Sequence, residues 1–284
     1  MNQQAKQLIQ QIEADVQRAL AEDLGDGDVS AALLSPEQTA EAKIISREPM
    51  VVCGSPWAEQ VFKTVNPQIS CEWQVQEGQW LSMPAVLCVL RGPAAAILSA
   101  ERTALNFLQT LSGTATLVHD YVAALRGTTA QLLDTRKTLP GLRRAQKYAV
   151  HCAGGMNHRM GLYDAFLIKE NHIKAAGSIT LAVQKARQMR ADLMVEVEVE
   201  TLQELEEALA VSPDRILLDN FDHAALLKAV AITKGRCPLE VSGGVTLASI
   251  GEIAMTGVNY ISVGAITKSV EAIDLSLMVE NVYL

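Results

Sequence analysis

Residues 194–200 read MVEVEVE and carry the clearest strand pattern in the chain. The glutamates alternate with apolar residues, which is the periodicity of a β-strand, so Glu196, Glu198 and Glu200 share one face and the valines the other. In an α/β barrel the valines would face the surrounding helices and glutamates would point into the lumen. In an edge strand the same glutamates would form a solvated acidic face, and this segment alone does not separate the two structures.

Five further apolar runs beyond Arg126 end, like this one, in polar residues or glycine. The residues that close the six runs are Lys137, Lys169, Glu198, Asp219, Ser242 and Gly264. They recur at intervals of roughly 20 to 30 residues, which accommodates one strand and one crossover helix. A doubly wound sheet has the same periodicity but collects its ligand groups at one switch point. Polar or glycine residues at every strand end therefore favour an incomplete α/β barrel with six visible units.

The residues before these runs predict a separate N-terminal α/β domain. Apolar residues recur at helical spacing between residues 9 and 20, and residues 43–91 contain short β-rich runs separated by proline and glycine. A long helical stretch begins after Pro93. We therefore divide the chain into an N-terminal domain, residues 1–110, and a barrel domain, residues 111–269.

Composition and charge exclude several classes of protein. The chain has 284 residues, of which 49% are hydrophobic and 20% charged, as is typical of a folded globular protein. Its formal net charge of -8 argues against binding to nucleic acid or an anionic membrane. Because the N-terminus is polar and no apolar run could span a membrane, we predict a cytoplasmic protein. Five widely spaced cysteines without a CxxC pair predict reduced thiols and neither disulfides nor a structural zinc site.

Basic residues and glycines cluster where the predicted strands end. The loop at residues 134–143 reads DTRKTLPGLR, which suits phosphate or carboxylate recognition, although a solvated surface loop can have the same composition. The turn at residues 154–159 reads GGMNHR and adds an imidazole and a guanidinium group. Lys169 closes a buried strand, where it either meets an anion or extends its ammonium group to solvent. The glycines at residues 243, 244 and 264 suit a phosphate, and tight turns are the alternative.

Two acidic residues, Glu198 and Asp219, close neighbouring predicted strands. Carboxylates in this position can bind ribose hydroxyls, hold a magnesium ion or stabilise a developing cation. Arg102 lies in the long helix before the barrel, and its spacing alone gives no reason to select it.

Taken together, these segments resemble the quinolinate phosphoribosyltransferase family. The matching segments are EDLGDGD at 22–28, ERTALN at 101–106, DTRKTLPG at 134–141, NHR at 157–159, LIK at 167–169, EVEVE at 196–200, LDN at 218–220, SGG at 242–244 and SVG at 262–264. The resemblance covers nearly the whole chain. Ala153 stands where family members commonly have glycine, and Ala145-Gln146 where they commonly have Leu-Glu, but neither departure affects a residue assigned to chemistry.

The resemblance implies an open, TIM-barrel-like α/β barrel of about seven strands, with an N-terminal α/β sandwich domain completed by about residues 270–284. It implies an enzyme of NAD biosynthesis that transfers the phosphoribosyl group of phosphoribosyl pyrophosphate to quinolinate. Decarboxylation accompanies this transfer, so the products are nicotinate mononucleotide, pyrophosphate and CO2, and Mg2+ is required. It also implies a homodimer in which Arg102 completes the active site of the partner.

This implied reaction gives each candidate residue a role. The groups suited to the two carboxylates of quinolinate are Arg102, Arg136, His158 and Arg159, with Thr135 in the same loop as Arg136. Lys137 and Lys169 can meet the ring carboxylate, the 5′-phosphate or the pyrophosphate. Glu198 and Asp219 would stabilise positive charge on the ribose, directly or through magnesium. The substrate phosphate would lie against Ser242, Gly243, Gly244 and Gly264. The candidate catalytic residues are Lys137, Lys169, Glu198 and Asp219.

The residues leave three other functions open. A phosphate-binding barrel aldolase or decarboxylase would use Lys169 as a Schiff base and would not depend on phosphoribosyl pyrophosphate. A phosphoribosyltransferase for nicotinate or another pyridine would share the fold, but the number of cationic and imidazole groups favours a dicarboxylate. A non-enzymatic protein that binds phosphorylated metabolites would not need polar groups at six strand ends.

Overall fold

The structure is a computed structural model and describes residues 3–283. The first part of the chain consists of α1 (Gln3–Leu24), a 3-10 helix (Ala31–Leu33), β1 (Thr39–Ser46), β2 (Met50–Val51), α2 (Ser55–Val65), β3 (Ser70–Trp73), β4 (Trp80–Leu81), β5 (Ala85–Pro93) and α3 (Ala94–Ala124). The second part consists of β6 (Gln131–Leu133), α4 (Arg143–Cys152), β7 (Ala165–Ile168), α5 (Glu170–Ala176), α6 (Ile179–Met189), β8 (Met194–Val199), α7 (Leu202–Ala210), β9 (Arg215–Asp219), α8 (His223–Thr233), β10 (Leu239–Ser242), α9 (Ile250–Met255), β11 (Tyr260–Ser262), α10 (Ala265–Lys268) and β12 (Leu275–Tyr283).

The chain forms two compact units. The sandwich unit comprises Met1–Leu117, Leu139–Ala153 and Ser269–Leu284, and the barrel unit comprises Val118–Thr138 and Gly154–Lys268. The helix α4 and its preceding loop thus belong to the sandwich unit, although they lie between β6 and β7 in sequence. Within the described residues, no helix is both long and apolar enough to cross a membrane.

The sandwich unit is built on an antiparallel sheet with the strand order β12-β1-β5-β3. Ala40, Ala42 and Ile44 of β1 are buried at alternate positions, as the period of a strand requires. The helix α2 buries Trp57 and Phe62 completely, and the indole of Trp57 donates a hydrogen bond to buried Asp15 of α1 at 3.2 Å. Truncating an aromatic side chain in such a core typically costs about 3–5 kcal/mol, so these contacts fix the helices on the unit.

The barrel unit contains six parallel strands in the order β6-β11-β10-β9-β8-β7. A further parallel bridge between Leu133 and Met156 adds a seventh position beside β6. Within the described residues, no ladder joins β6 to β7, so the barrel is open on that side. The prediction of an open α/β barrel preceded by an α/β domain is confirmed.

The strand β8 has neighbours on both sides, because it pairs with β7 and with β9. The edge-strand interpretation of residues 194–200 is therefore wrong. Its valines are buried, and α6 and α7 contact the strand. The helices around the sheet begin at residues whose side chains cap them: the oxygen atoms of Ser178, Thr201 and Asp222 accept hydrogen bonds from backbone N–H groups of α6, α7 and α8. These caps fix where each crossover helix begins after its strand and loop.

Candidate active site

The carboxyl ends of the barrel strands surround a cavity of about 350 Å³. It is lined by Thr135, Arg136, Lys137, His158, Arg159, Leu167, Lys169, Glu198, Leu217, Glu240, Ser242 and Ser262. Eight of the site residues predicted from the sequence are among them. All the lining residues belong to the barrel unit.

Five predicted site residues do not line this cavity. Asp219 ends β9 and is paired in register with Ser242, and its carboxylate accepts a hydrogen bond from the Asn220 amide at 2.8 Å. Gly243 and Gly244 follow β10 and are exposed. A Cβ atom at Gly243 would lie 2.1 Å from Asn220 Oδ1, and the backbone there has φ +99, so only glycine fits. Gly264 follows β11, and Arg102 is an exposed residue of α3 in the sandwich unit.

The loop after β6 holds Lys137 in a defined position. The backbone N–H of Lys137 donates to Thr135 Oγ1 at 3.0 Å, and its carbonyl accepts from Thr267 Oγ1 at 2.7 Å. A Cβ atom at Gly264 would lie 2.9 Å from Lys137 Cδ. The absence of a side chain at Gly264 therefore leaves room for the aliphatic stem of the lysine, whose ammonium group extends beyond it.

Two guanidinium groups lie close together at the cavity. Arg159 donates to the carbonyl of Ala165 at 3.3 Å. Burial and, next in size, the neighbouring positive charge of Arg136 lower the pKa of Arg159. Two like charges in a partly buried site repel one another unless an anion lies between or beside them. Arg136 and Arg159 therefore form a site that suits a planar anion such as a carboxylate.

Lys169 and Glu198 form an ion pair across the neighbouring strands β7 and β8. Ile168 is paired with Val197, so the residues that follow them meet side by side. The Glu198 side chain is only 13% exposed, whereas that of Lys169 is 47% exposed and can turn towards a ligand. The pair thus places a carboxylate and a mobile ammonium group at one edge of the cavity.

Hydrogen bonds fix both the position and the tautomer of His158. Its backbone N–H donates to Oδ1 of buried Asp134 at 2.9 Å, and its Nδ1 accepts from the backbone N–H of Arg159 at 2.7 Å. Nδ1 therefore carries no proton, and the ring proton lies on Nε2. Nε2 is 2.8 Å from Oε2 of Glu196, which is fully buried.

A buried acidic pair lies beneath His158 in the barrel interior. Glu240 Oε1 is 3.6 Å from His158 Nε2, and its other oxygen accepts from Arg215 at 2.8 Å. The guanidinium of Arg215 lies 4.1 Å from the centre of the Tyr260 ring. Burial and then repulsion from Glu196 raise the pKa of Glu240 to about 7, and burial also raises the pKa of Glu196. Glu196 and Glu240 therefore contact the side of the His158 ring that faces the barrel interior.

Four residues of the site were not among those predicted from the sequence: Asp134, Glu196, Arg215 and Glu240. A signal for Glu240 was present, because residues 239–242 read LEVS and repeat the alternation of residues 194–200. Arg215, at the start of β9, reaches across to Glu240 of β10. No pattern in the sequence indicates this contact between two strands.

The acidic pair predicts a pH-dependent stability that depends on Glu240. Because the pKa of Glu240 is raised from 4.5 to about 7, the folded state retains a proton that the unfolded state loses. The free energy of unfolding of the native protein should therefore fall between about pH 4.5 and about pH 7, relative to that of Glu240→Gln, by up to about 3 kcal/mol. Denaturant titrations of both proteins across this range measure the difference. Parallel curves would show that Glu240 titrates normally.

The carboxyl ends of the barrel strands carry two arginines, two lysines and a histidine held by hydrogen bonds. These features define an α/β barrel protein with a site for small anions. Family models identify the family within this class. Residues 28–112 match the family model for the N-terminal domain of quinolinate phosphoribosyl transferase, and residues 114–278 match that for its C-terminal domain. The chain belongs to the quinolinate phosphoribosyl transferase family.

Named relatives and a solved structure match this chain over most of its length. A probable nicotinate-nucleotide pyrophosphorylase [carboxylating] of Bacillus subtilis is 41% identical over 90% of this chain and 89% of its own. The quinolinate phosphoribosyltransferase [decarboxylating] 1b of Nicotiana tabacum is 40% identical over 94% of this chain and 81% of its own. The solved structure of the nicotinate-nucleotide pyrophosphorylase from Francisella tularensis is 47% identical, covers 96% of this chain and 97% of its own, and has a TM-score of 0.93.

Proposed function

We propose that this protein is a decarboxylating quinolinate phosphoribosyltransferase, a pentosyltransferase of NAD biosynthesis. It transfers the phosphoribosyl group of phosphoribosyl pyrophosphate to quinolinate and yields nicotinate mononucleotide, pyrophosphate and CO2. Membership of the family supports the reaction. The observation that carries the proposal is the pair Arg136 and Arg159, because both guanidinium groups line one cavity and each suits a carboxylate of the substrate.

The cavity matches the charges of both substrates. Quinolinate carries two carboxylates on a planar ring, and the guanidinium groups of Arg136 and Arg159 can each bind one in a fork. His158 lines the cavity with its imidazole ring, while its Nε2 faces the buried carboxylate of Glu196. Lys137 lies beside Gly264, and with Ser242 these residues form the proposed binding site for the 5′-phosphate. Leu167 and Leu217 supply apolar surface for the pyridine ring.

The chemistry requires positioning and charge rather than a covalent intermediate. As pyrophosphate leaves C1′ of the ribose, positive charge develops on the sugar, and the carboxylate of Glu198 stabilises it. The pyridine nitrogen then forms the new bond to C1′ and becomes cationic. When the adjacent carboxylate leaves as CO2, the electron pair of the broken C–C bond stays on the ring carbon, where the neighbouring cationic nitrogen stabilises it, and this carbon then takes a proton. Lys169, released from Glu198, offers its ammonium group to the carboxylate or the pyrophosphate.

We propose that Mg2+ binds together with phosphoribosyl pyrophosphate. The donor chemistry fits this ion, because Glu198 and Asp219 provide carboxylate oxygens at the carboxyl ends of the neighbouring parallel strands β8 and β9. When bound, the ion neutralises charge on the pyrophosphate group.

We also propose that the active enzyme is a homodimer in which Arg102 of each subunit completes the cavity of the other. Arg102 is exposed, and it is absent from the residues that line the cavity of its own chain. An exposed helical arginine is free to contact a second chain, and a symmetric dimer could bring it to the cavity of the partner.

Substrate comparison tests the proposed function. Purified protein is incubated with phosphoribosyl pyrophosphate, Mg2+ and either quinolinate or nicotinate, and nucleotide products are separated by chromatography. Nicotinate mononucleotide should form from quinolinate and not from nicotinate. Formation from nicotinate alone would identify the nicotinate-type transferase, and formation from neither would reject both transferases.

The paired guanidinium groups predict that Arg159→Lys weakens quinolinate binding. Lysine keeps the charge but cannot form the planar fork, so KM for quinolinate should rise by about 10- to 100-fold with a smaller change in KM for phosphoribosyl pyrophosphate. Steady-state kinetics with each substrate varied in turn measure this. Arg190→Lys is a matched control, because Arg190 forms an exposed pair with Asp192. Equal KM values in the native and Arg159→Lys proteins would contradict the assignment.

A further inference from the structure

The sandwich unit brings together three potential metal ligands that do not line the anion-binding cavity. Cys53 follows β2, Glu77 lies in the loop between β3 and β4, and Cys152 is the last residue of α4. One ligand atom from each residue lies within 4.8 Å of the other two. In a tetrahedral zinc site, Zn–S bonds of about 2.3 Å place neighbouring sulfur ligands roughly 3.8 Å apart. The observed spacing is compatible with a shared ion.

The Glu77 carboxylate is oriented before any ion binds. One of its oxygens accepts from the backbone N–H of Gly54 at 2.6 Å. The other accepts from the backbone N–H of Ser55 at 3.1 Å, and also from the Ser55 hydroxyl. A carboxylate oxygen has two acceptor sites, so the oxygen that accepts only from Gly54 keeps one of them for an ion. Such outer hydrogen bonds are the devices that orient metal ligands in known sites.

The backbone of Cys53 is fixed by the hydroxyl of Ser112. The N–H of Cys53 donates to Ser112 Oγ at 3.0 Å, and the same hydroxyl donates to the Cys53 carbonyl at 2.9 Å. Cys53 is fully buried, so its thiol has a single defined environment. Its ligand atom therefore needs little rearrangement to bind an ion.

The side chains of Cys53 and Tyr148 lie next to the thiol of Cys152. The Tyr148 ring is itself held against Trp57, with the ring centres 5.2 Å apart. On binding a divalent cation both thiols would lose their protons, and the cation would offset the repulsion between the two thiolates and the carboxylate.

We propose that Cys53, Glu77 and Cys152 form a binding site for one divalent ion of the zinc class, with water as the fourth ligand. Sulfur donors select a soft or borderline ion over Mg2+ or Ca2+. The ion would join the segment before α2, the β3–β4 loop and the end of α4. The two cysteines are far apart in the sequence, so no CxxC spacing indicates the site. This proposal is independent of the proposed enzymatic function.

Metal titration of the reduced, metal-free full-length protein tests the site. Zn2+ binding is measured by competition with a chromophoric chelator, and we expect one tight ion per chain. Cys53→Ser and Cys152→Ser should each raise Kd for Zn2+ by at least about 100-fold, and Glu77→Gln by about 10- to 100-fold. Cys71→Ser is the control, because Cys71 contacts Cys88 in a second thiol pair of the same unit, and its Kd should not change.

Co2+ binding to the native protein gives a test that does not depend on folding of a variant. Co2+ should produce thiolate charge-transfer absorption and the intense visible bands of a tetrahedral complex, and Zn2+ should abolish both. His158, Glu196 and Glu240 also lie close enough to hold an ion, but they contain no sulfur. Binding without charge-transfer absorption, binding that survives Cys53→Ser and Cys152→Ser, or no saturable binding would each overturn the proposal. Oxidation of the pair to a disulfide in place of ion binding would overturn it as well.

Discussion

Glu198→Gln is expected to lower kcat by about 100- to 1,000-fold while KM for quinolinate changes little. Glutamine has nearly the same shape but no charge, so the variant removes the carboxylate that faces the developing positive charge on the ribose. It also removes the partner of Lys169. Steady-state kinetics at saturating phosphoribosyl pyrophosphate and Mg2+ measure the effect.

Glu200→Gln provides a matched control for this prediction. Glu200 follows Glu198 by two positions, is exposed, and does not line the cavity. Its replacement should leave kcat unchanged. Asp219→Asn tests the second carboxylate in the same way. If kcat is unchanged in both Glu198→Gln and Asp219→Asn, neither carboxylate takes part in the reaction.

Arg102→Ala is expected to lower kcat/KM by at least about 100-fold, although the arginine is an exposed residue of the sandwich unit. Mixing this variant with Lys169→Ala should restore about one quarter of the native activity. Random exchange makes half of the dimers hybrids, and each hybrid has one intact site. Activity is measured after subunit exchange has been verified with differently tagged chains.

A second mixture controls for nonspecific recovery. Lys169→Ala mixed with Glu198→Gln should regain nothing, because both changes affect the barrel unit and every hybrid site retains one of them. No recovery in the mixture of Arg102→Ala and Lys169→Ala, with exchange verified, would contradict the shared active site.

Local pattern was sufficient to predict most of the barrel. Alternation in residues 194–200 defined a strand, and the recurrence of strand ends implied parallel neighbours. The local pattern could not show that β8 lies between β7 and β9, because the pairing partners are distant in the chain. The bridge at Met156 and the short strand β4 (Trp80–Leu81) leave no periodic signal, since one or two residues cannot show a period.

The cavity was predictable for the same topological reason. Carboxyl ends of parallel strands meet at one edge, so Lys137, Lys169 and Glu198 could be placed together from their positions in sequence. The buried acidic residues beneath the cavity were not predictable, because Glu240 is stabilised by Arg215 through a contact between neighbouring strands. The same holds for Cys53 and Cys152, which only the folded sandwich unit brings together.

The most direct test of the proposed function is release of CO2 from carboxyl-labelled quinolinate by the purified protein. The assay is run with both phosphoribosyl pyrophosphate and Mg2+, and with each omitted. Release that requires both, with nicotinate mononucleotide formed in equal amount, is the predicted result. Release without phosphoribosyl pyrophosphate would instead indicate a decarboxylase that uses Lys169 as a Schiff base, and it would contradict the transferase. Absence of release under all conditions would contradict it equally.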